Sequence, residues 1–305
     1  MSPAASLALA EALELSSEEL AALAGSAHRR YRLMLLPRPG RAPRAIEAPD
    51  EALKAVQRRI LRRLLLVRLP VSRHAHGFVP GRSAVTAARD HAGKELVVSF
   101  DIRDFFPSVQ AAAVRAIAAE LGLADADAGD FVKLTTLGGR LPQGAPTSPA
   151  LANLAFRRAD ARLGGLADSL GLAYTRYADD LAFSGGEQAG RIDASVRSIL
   201  AGDGFRLAAE KTRRMPRSAR QEVCGLVVND GVRVPRQARR LLRAIIHDAG
   251  RRGLAAAARG RGGRFPEWLA GHLAYLAAVD HPAAERLVRA LERSRQRPEP
   301  RDLPT

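Results

Sequence analysis

Tyr177-Ala178-Asp179-Asp180 sets an aromatic residue and two adjacent carboxylates between two short apolar runs, Leu172 to Tyr177 and Leu181 to Phe183. The pattern predicts a β-hairpin with acids at its tip. A third acid, Asp101, ends another apolar run, Leu96-Val97-Val98-Ser99-Phe100. If both elements lie side by side in one sheet, their carboxylates converge on a common point. Hard oxygen ligands on a rigid sheet suit Mg²⁺, which takes one or two carboxylates together with substrate phosphates. Two such ions can clamp the attacking and leaving oxygens of a phosphoryl transfer, so the pattern points to nucleotidyl transfer.

The charge balance agrees with a phosphate-rich partner. The 305 residues carry a formal charge of +16, with arginine far ahead of lysine. Arginine's planar fork suits phosphate oxygens, and such an excess favours a polyanion. A GC-rich genome would also enrich arginine and alanine, so composition is the weaker argument. The length predicts two or three subdomains around one large core. Cys224 is the only cysteine, which rules out an internal disulfide and points to a reducing compartment. No run approaches the roughly 20 apolar residues of a membrane span. Glu11, Glu14, Glu18 and Glu19 interrupt the N-terminal apolar residues, unlike a secretory signal. A cytoplasmic protein with no membrane partner is expected.

Ser16 and Glu19 fit a capping box opening a helix toward Ala27. Tyr31 to Leu36 and Arg44 to Ala48 read as strands around a Pro/Gly turn, and a helix is predicted from about Asp50 to Val67. Further helices are expected over Ala84 to His91, over Ala111 to Leu121, from Pro149 to about Leu163, and around Ile192 to Leu200. Glu222 to Val234 reads as a hairpin turning at Asn229-Asp230-Gly231. Beyond Pro235 the chain becomes helical and basic, interrupted at Arg259 to Arg264, and the tail after Ser294 is expected to be disordered. The fold class expected is α+β.

Four motifs in a fixed order resemble the reverse transcriptases, and among them the bacterial retron type. Ser99-Phe100-Asp101-Ile102-Arg103-Asp104-Phe105-Phe106-Pro107-Ser108 looks like their first palm motif. Leu141-Pro142-Gln143-Gly144-Ala145-Pro146-Thr147-Ser148-Pro149 matches their loop-helix motif beside the nucleotide. Tyr177 to Asp180 is similar to their catalytic hairpin, and Glu210-Lys211-Thr212 to their lysine motif. The resemblance implies a right-hand polymerase with fingers, an antiparallel palm sheet and a helical thumb. On that pattern, residues 1–30 are an N-terminal helical segment, 31–95 and 111–145 are fingers, 96–110 and 146–234 palm, and 235–305 the thumb and a flexible tail.

The resemblance also implies roles. Asp101 and Asp179 would bridge two Mg²⁺ ions, for which Mn²⁺ can substitute, with the Ile102 backbone carbonyl as a further ligand. Asp180 belongs to the same set, but strand alternation points it away from Asp179, toward a supporting role. Phe106 stands where the family keeps an aromatic under the sugar, so it would exclude a 2′-OH. Phe105, facing the other way along a strand, would be core. Gln143 would contact the incoming nucleotide and template, Lys211 the triphosphate, and Arg44 the triphosphate from a fingers strand. Without the motif, Glu210-Lys211 reads as a solvated charge pair. Asp104 is read as a structural or capping carboxylate.

Finer features carry the retron assignment. Ala87-Ala88-Arg89-Asp90-His91 resembles the Asn-Ala-x-x-His signature of retron enzymes, and Val223-Cys224-Gly225 resembles their Val-Thr-Gly signature. Ala87 replaces the asparagine and Cys224 the threonine, so RNA contacts by Ala87, His91, Val223, Cys224 and Gly225 lack the pattern's amide and hydroxyl. Cys224 itself reads as a buried small residue. A retron enzyme implies dNTPs, a structured noncoding RNA as template and primer, and an RNA–DNA hybrid. Synthesis would start from an internal guanosine 2′-OH, with a host RNase H and a separate effector protein as partners in antiphage defence. The rivals are a group II intron-like or other non-retron bacterial reverse transcriptase, and a non-catalytic RNA-binding protein on a polymerase scaffold.

Overall fold

In the computed structural model, which describes residues 7–38, 40–258 and 264–295, the chain opens with α1 (Leu9–Leu13) and α2 (Ser17–Ser26). The capping box is present: the Glu19 amide donates to Ser16 Oγ at 3.1 Å and the Ser16 amide to Glu19 Oε2 at 2.8 Å. Next come β1 (Tyr31–Arg38) and β2 (Arg41–Pro49), an antiparallel ribbon with Gly40 in the left-handed region near its tip. Asp50 caps α3 (Glu51–Ile60) by accepting from the Leu53 amide at 2.9 Å. The single helix expected to Val67 is interrupted by a π turn over Leu61–Leu65 before α4 (Leu66–Arg68). That wider turn buries the consecutive Leu64 and Leu65 together, which a regular 3.6-residue period serves less well.

After α5 (Ala84–Arg89) come β3 (Leu96–Asp101) and the one-turn α6 (Phe105–Ser108). Three helices lead on: α7 (Ala111–Glu120), α8 (Asp125–Thr135) and α9 (Ser148–Ala155). α8 was not read from sequence, and the helix predicted through Leu163 is two, because α10 (Arg157–Ser169) starts afresh after Phe156. β4 (Ala173–Tyr177) and β5 (Asp180–Gly185) form the expected antiparallel hairpin, with Tyr177 opposite Asp180. α11 (Asp193–Gly202) and β6 (Arg213–Pro216) follow. The main sheet has the order β4-β5-β3-β6, and the architecture is α+β.

β7 (Glu222–Val223) and β8 (Leu226–Val227) pair with Val223 opposite Leu226. Their turn is Cys224-Gly225, both at positive φ, and the chain turns again at Asn229-Asp230-Gly231 as predicted, where Val227 and Arg233 exchange two backbone hydrogen bonds at 2.8 Å. Cys224 is accordingly half-buried at a turn and not a core residue. The chain ends in α12 (Arg236–Arg252), α13 (Leu254–Ala258), α14 (Phe265–Val279) and α15 (His281–Arg295). α12 turns Leu242, Ile245 and Ile246 inward, and α14 turns in Leu269, Leu273 and Leu276. The tail from residue 296 and residues 259–263 lie outside the described residues.

The chain divides into two compact units, Met1–Ser83 with Val98–Arg214, and Ala84–Val97 with Met215–Thr305. The first has an aromatic core: Phe156 lies 4.7 Å from Phe205 and 5.7 Å from Phe105 between ring centroids, and Tyr174 stacks on Phe183 at 4.6 Å. Within this core lies a salt bridge, Arg176 to Asp160 at 2.7 Å, with both side chains wholly inaccessible. The Tyr174 hydroxyl donates a further bond to Asp160 at 2.8 Å. Among the described residues, no helix is long and apolar enough to cross a membrane.

Replacing Asp160 by Ala would strand the Arg176 charge in this core. Removing one partner of a buried pair costs about 3–5 kcal/mol, so Asp160→Ala should lose that much stability in urea unfolding. A loss below about 1 kcal/mol, the scale of a surface pair, would contradict so deep a burial.

Candidate active site

The tip of the β4–β5 hairpin is a two-residue turn of Ala178 and Asp179, with Ala178 at φ +55. A positive φ at the first turn position is where glycine is usual, so an alanine there is strained. Its neighbour Gly77 explains part of the arrangement. A Cβ on Gly77 would stand 2.7 Å from the Ala178 nitrogen, so only glycine lets that loop close on the turn. From the other side, the Ile102 amide at the end of β3 donates to the Asp179 carbonyl at 2.9 Å. This bond brings the Asp101 and Asp179 side chains to one cleft, of about 420 Å³, which both residues line.

Arg44, Ile102, Phe106, Gln143 and Lys211 line the same cleft, so seven positions picked from sequence meet there. Arg38, Ala45, Asp104 and Phe105 line it too, and of these the sequence reading gave no site role to Arg38 or Ala45. Asp180 opens β5 at the exposed rim and does not line the cleft; since Asp179 is a turn residue, the two acids part at the hairpin tip and not by alternation along a strand. Burial, then the charge of Asp101, raises the Asp179 carboxyl above the usual carboxylate range, while Lys211 and Arg44 pull it back. Asp180 is pushed up to about 6, by lost hydration first and then by Asp179 and Asp101.

Lys211 Nζ lies 2.6 Å from Asp101 Oδ1. Glu210, which would pair with Lys211 if the motif carried no function, turns to Arg103, whose Nη2 donates to both its oxygens at 2.8 Å. Phe106 faces the cleft and Phe105 the core, as read, but for another reason: both lie in the single turn α6, not on a strand. Asp104 takes no side-chain cap bond at α6; it holds a left-handed φ of 48 with its side chain exposed on the cleft. The capping role expected of it is therefore not filled.

Gln143 is held by a residue the sequence did not single out. Glu47 on β2 accepts from Arg140 at 2.7 and 3.0 Å and from the Gln143 amide at 3.1 Å. The Glu47 amide donates back to the Gln143 carbonyl at 2.7 Å. Gly144, at φ +140, has the Glu47 carbonyl 2.7 Å from where a Cβ would stand, so this close approach again requires glycine. Nothing local marks such a clamp, since its partners are 93 residues apart.

In the second unit, α5 packs on β7 and β8, which gathers the two signature segments. Ala87 and His91 are fully buried and Val223 nearly so, which leaves no surface for the RNA contacts expected of them. Cys224 and Gly225 form the accessible turn. Among the described residues, no group of three His, Cys, Asp or Glu side chains is arranged to hold a metal by itself. The cleft offers carboxylate oxygens together with arginine and lysine, Lys211 being paired with Asp101 itself. Such a site can bind a divalent cation whose remaining ligands come from the phosphates of a substrate.

Residues 36–227 match the family model described as reverse transcriptase (RNA-dependent DNA polymerase). The chain is 40% identical over 281 residues to the retron Mx65 reverse transcriptase of Myxococcus xanthus, covering 86% of this chain and 64% of the relative. It is 36% identical over 315 residues to the retron Mx162 reverse transcriptase of the same organism, covering 90% and 63%. With the retron Ec86 reverse transcriptase of Escherichia coli it shares 34% identity over 244 residues, covering 78% and 76%. It thus spans just under two thirds of the length of the two Myxococcus relatives. The chain belongs to the reverse transcriptase family, and its type is that of the bacterial retrons.

The Glu47 clamp predicts a pH-dependent stability. Hydrogen bonds from Arg140 hold the Glu47 carboxyl below its ordinary 4.5. Its contribution is therefore complete above that value and fades as pH falls through the lower folded value. The stability gap between wild type and Glu47→Gln, from urea unfolding, should be open at pH 7 and close toward pH 3. A gap of constant size would contradict the charged clamp.

Proposed function

We propose that the protein is an RNA-directed DNA polymerase of the retron type, extending a primer on an RNA template with dNTPs. The observation that carries this reading is the meeting of Asp101 and Asp179 in one cleft with Arg44, Phe106, Gln143 and Lys211. In this reading the sheet β4-β5-β3-β6 is the palm, β1 and β2 belong to the fingers, and α12 to α15 form the thumb. The segment boundaries implied by the family pattern go with it, as does an RNA–DNA hybrid bound beside the palm.

The donor set fits Mg²⁺. Asp101 and Asp179 supply hard oxygens at one place, and their mutual repulsion favours a divalent cation between them. They would hold two ions with the Ile102 carbonyl and support from Asp180, and Mn²⁺ would substitute. When bound, the ions supply a lowered pKa at the primer hydroxyl and neutralise charge on the departing pyrophosphate. Arg44 and Lys211 bind and orient the triphosphate from the basic side of the cleft. Lys211 would also give a proton to the pyrophosphate oxygen, while Arg103 holds the neighbouring Glu210. Phe106 sets its ring under the sugar, where a 2′-OH would collide with it, and Gln143 orients the base.

The kinship with retron enzymes supports a dedicated noncoding RNA as template and primer, with a guanosine 2′-OH as the starting nucleophile. It also supports a role in antiphage defence with a separate effector and a host RNase H. RNA contacts in the second unit fall to the Cys224-Gly225 turn, since Ala87, His91 and Val223 are buried. A non-catalytic RNA-binding role leaves the meeting of Asp101 and Asp179 in one cleft without purpose.

Primer extension with Mg²⁺ tests the reading. Asp179→Ala should abolish extension while RNA affinity stays within about threefold, because the basic surface is untouched. Equal extension by both proteins would remove the proposed site. Phe106→Ala should narrow the preference for dNTPs over ribonucleotides at least tenfold, about 1.4 kcal/mol of discrimination; unchanged selection would count against its role under the sugar.

A further inference from the structure

Directly behind the proposed catalytic turn lies the buried pair of Arg176 and Asp160, and its geometry shows where the guanidinium's donors go. Nε and Nη2 hold the two Asp160 oxygens at 2.9 and 2.7 Å. Nη1 points forward, donating to Asn153 Oδ1 at 2.9 Å and to the Ala178 carbonyl at 3.2 Å. Asn153 passes the contact on, its Nδ2 donating to the Gly77 carbonyl at 2.9 Å. Gly77 is the residue packed against the Ala178 nitrogen. One guanidinium thus reaches the strained Ala178 from its carbonyl side directly, and from its amide side through Asn153 and Gly77. The backbone of Arg176 also pairs with the same loop, its amide donating to the His74 carbonyl and its carbonyl accepting from His76, each at 2.7 Å. The guanidinium face rests 4.7 Å from the Phe156 ring centroid and 5.6 Å from that of Phe105, the neighbour of Phe106.

A buried ion pair is poor evidence for stability, because apolar residues of similar volume frequently serve as well. Stability alone does not account for donors spent on Ala178 and Asn153. We propose that Arg176, with Asn153 as its relay, is a positioning residue that sets the Ala178-Asp179 turn against Asp101 and so fixes the metal-ligand geometry. It touches neither nucleotide nor metal. Asp160 anchors the guanidinium, and the Tyr174 hydroxyl completes that anchor. Lysine could not replace arginine here, since one ammonium cannot span Asp160, Asn153 and Ala178 at once. The inference rests on the polymerase reading of this same site.

Asn153→Ala is the discriminating variant, because it cuts the relay and leaves the charge pair intact. Three measurements are made: amide hydrogen exchange of the metal-free protein over Tyr174 to Phe183, primer extension at saturating RNA template-primer, and melting temperature. Exchange over the turn should rise at least tenfold at a temperature well below melting. The kcat should fall about 10–100-fold, the scale of an ångström-size misplacement, with the dNTP KM within about threefold and half-maximal activity shifted to higher Mg²⁺. Arg176→Lys should show the same pattern, more strongly. Unchanged exchange, kcat and Mg²⁺ dependence, even with a lowered melting temperature, would reduce the network to a structural support and overturn the proposal. If Asn153→Ala does not fold, Asn153→Asp, which keeps the acceptor for Arg176 and loses the donor to Gly77, carries the same exchange test with the same outcomes. The exchange readout needs no polymerisation. Failure of wild type to extend a primer would therefore reject the polymerase reading, whereas unchanged exchange would reject the positioning role alone.

Discussion

Carboxylates repel one another and lose hydration when drawn together, so Asp101, Asp179 and Asp180 cannot hold themselves in place. Both hairpin acids carry that cost as raised pKa values. What opposes it is backbone geometry, beginning with the hydrogen bond from the Ile102 amide to the Asp179 carbonyl. That bond ties the end of β3 to a turn whose first residue sits in a conformation alanine disfavours. Strain of this kind persists only when the surroundings determine it. Here they do so with a missing side chain at Gly77 and a carbonyl held by Arg176. The acidic side of the cleft is therefore tied by contacts on both sides of the turn, an arrangement that limits the reorganisation charge stabilisation requires.

Positive charge is set directly against these acids, Lys211 pairing with Asp101 itself. Arg44 and Lys211 bring positive charge to the cleft, and Gln143 is fixed there by the Glu47 carboxylate, itself gripped by Arg140. Glu47 is an acid beside Gln143, but its charge is taken up by Arg140 and the Gln143 amide. The cleft therefore keeps its basic character where a triphosphate would lie. Gly144 allows the backbone approach on which this clamp depends.

The hairpin and the Asp101 strand were legible because β alternation and turn chemistry are local signals, and their meeting followed from placing both in one sheet. Local reasoning gave the right direction for Phe105 and Phe106 on a wrong premise, since a single helical turn separates adjacent side chains as well as a strand does. It found the turn at Asn229-Asp230-Gly231 but missed the tighter one at Cys224-Gly225, which carries no Asn or Asp to mark it and sets Val223 opposite Leu226. α8 escaped notice because its first half, Asp125-Ala126-Asp127-Ala128-Gly129-Asp130, is rich in residues common in loops. Arg176 and Glu47 were invisible for a different reason. Each is an ordinary charged residue in a strand, and only the three-dimensional fold supplies Asp160, Asn153 and Arg140 as partners.

The central claim is that Asp101 and Asp179 form one divalent-cation site. Anomalous diffraction from crystals of the protein with Mn²⁺, an RNA–DNA hybrid and a dNTP tests it most directly. A manganese peak within about 2–2.5 Å of a carboxylate oxygen of each residue is the predicted result. Manganese bound elsewhere, with both carboxylates left unligated, would contradict the account.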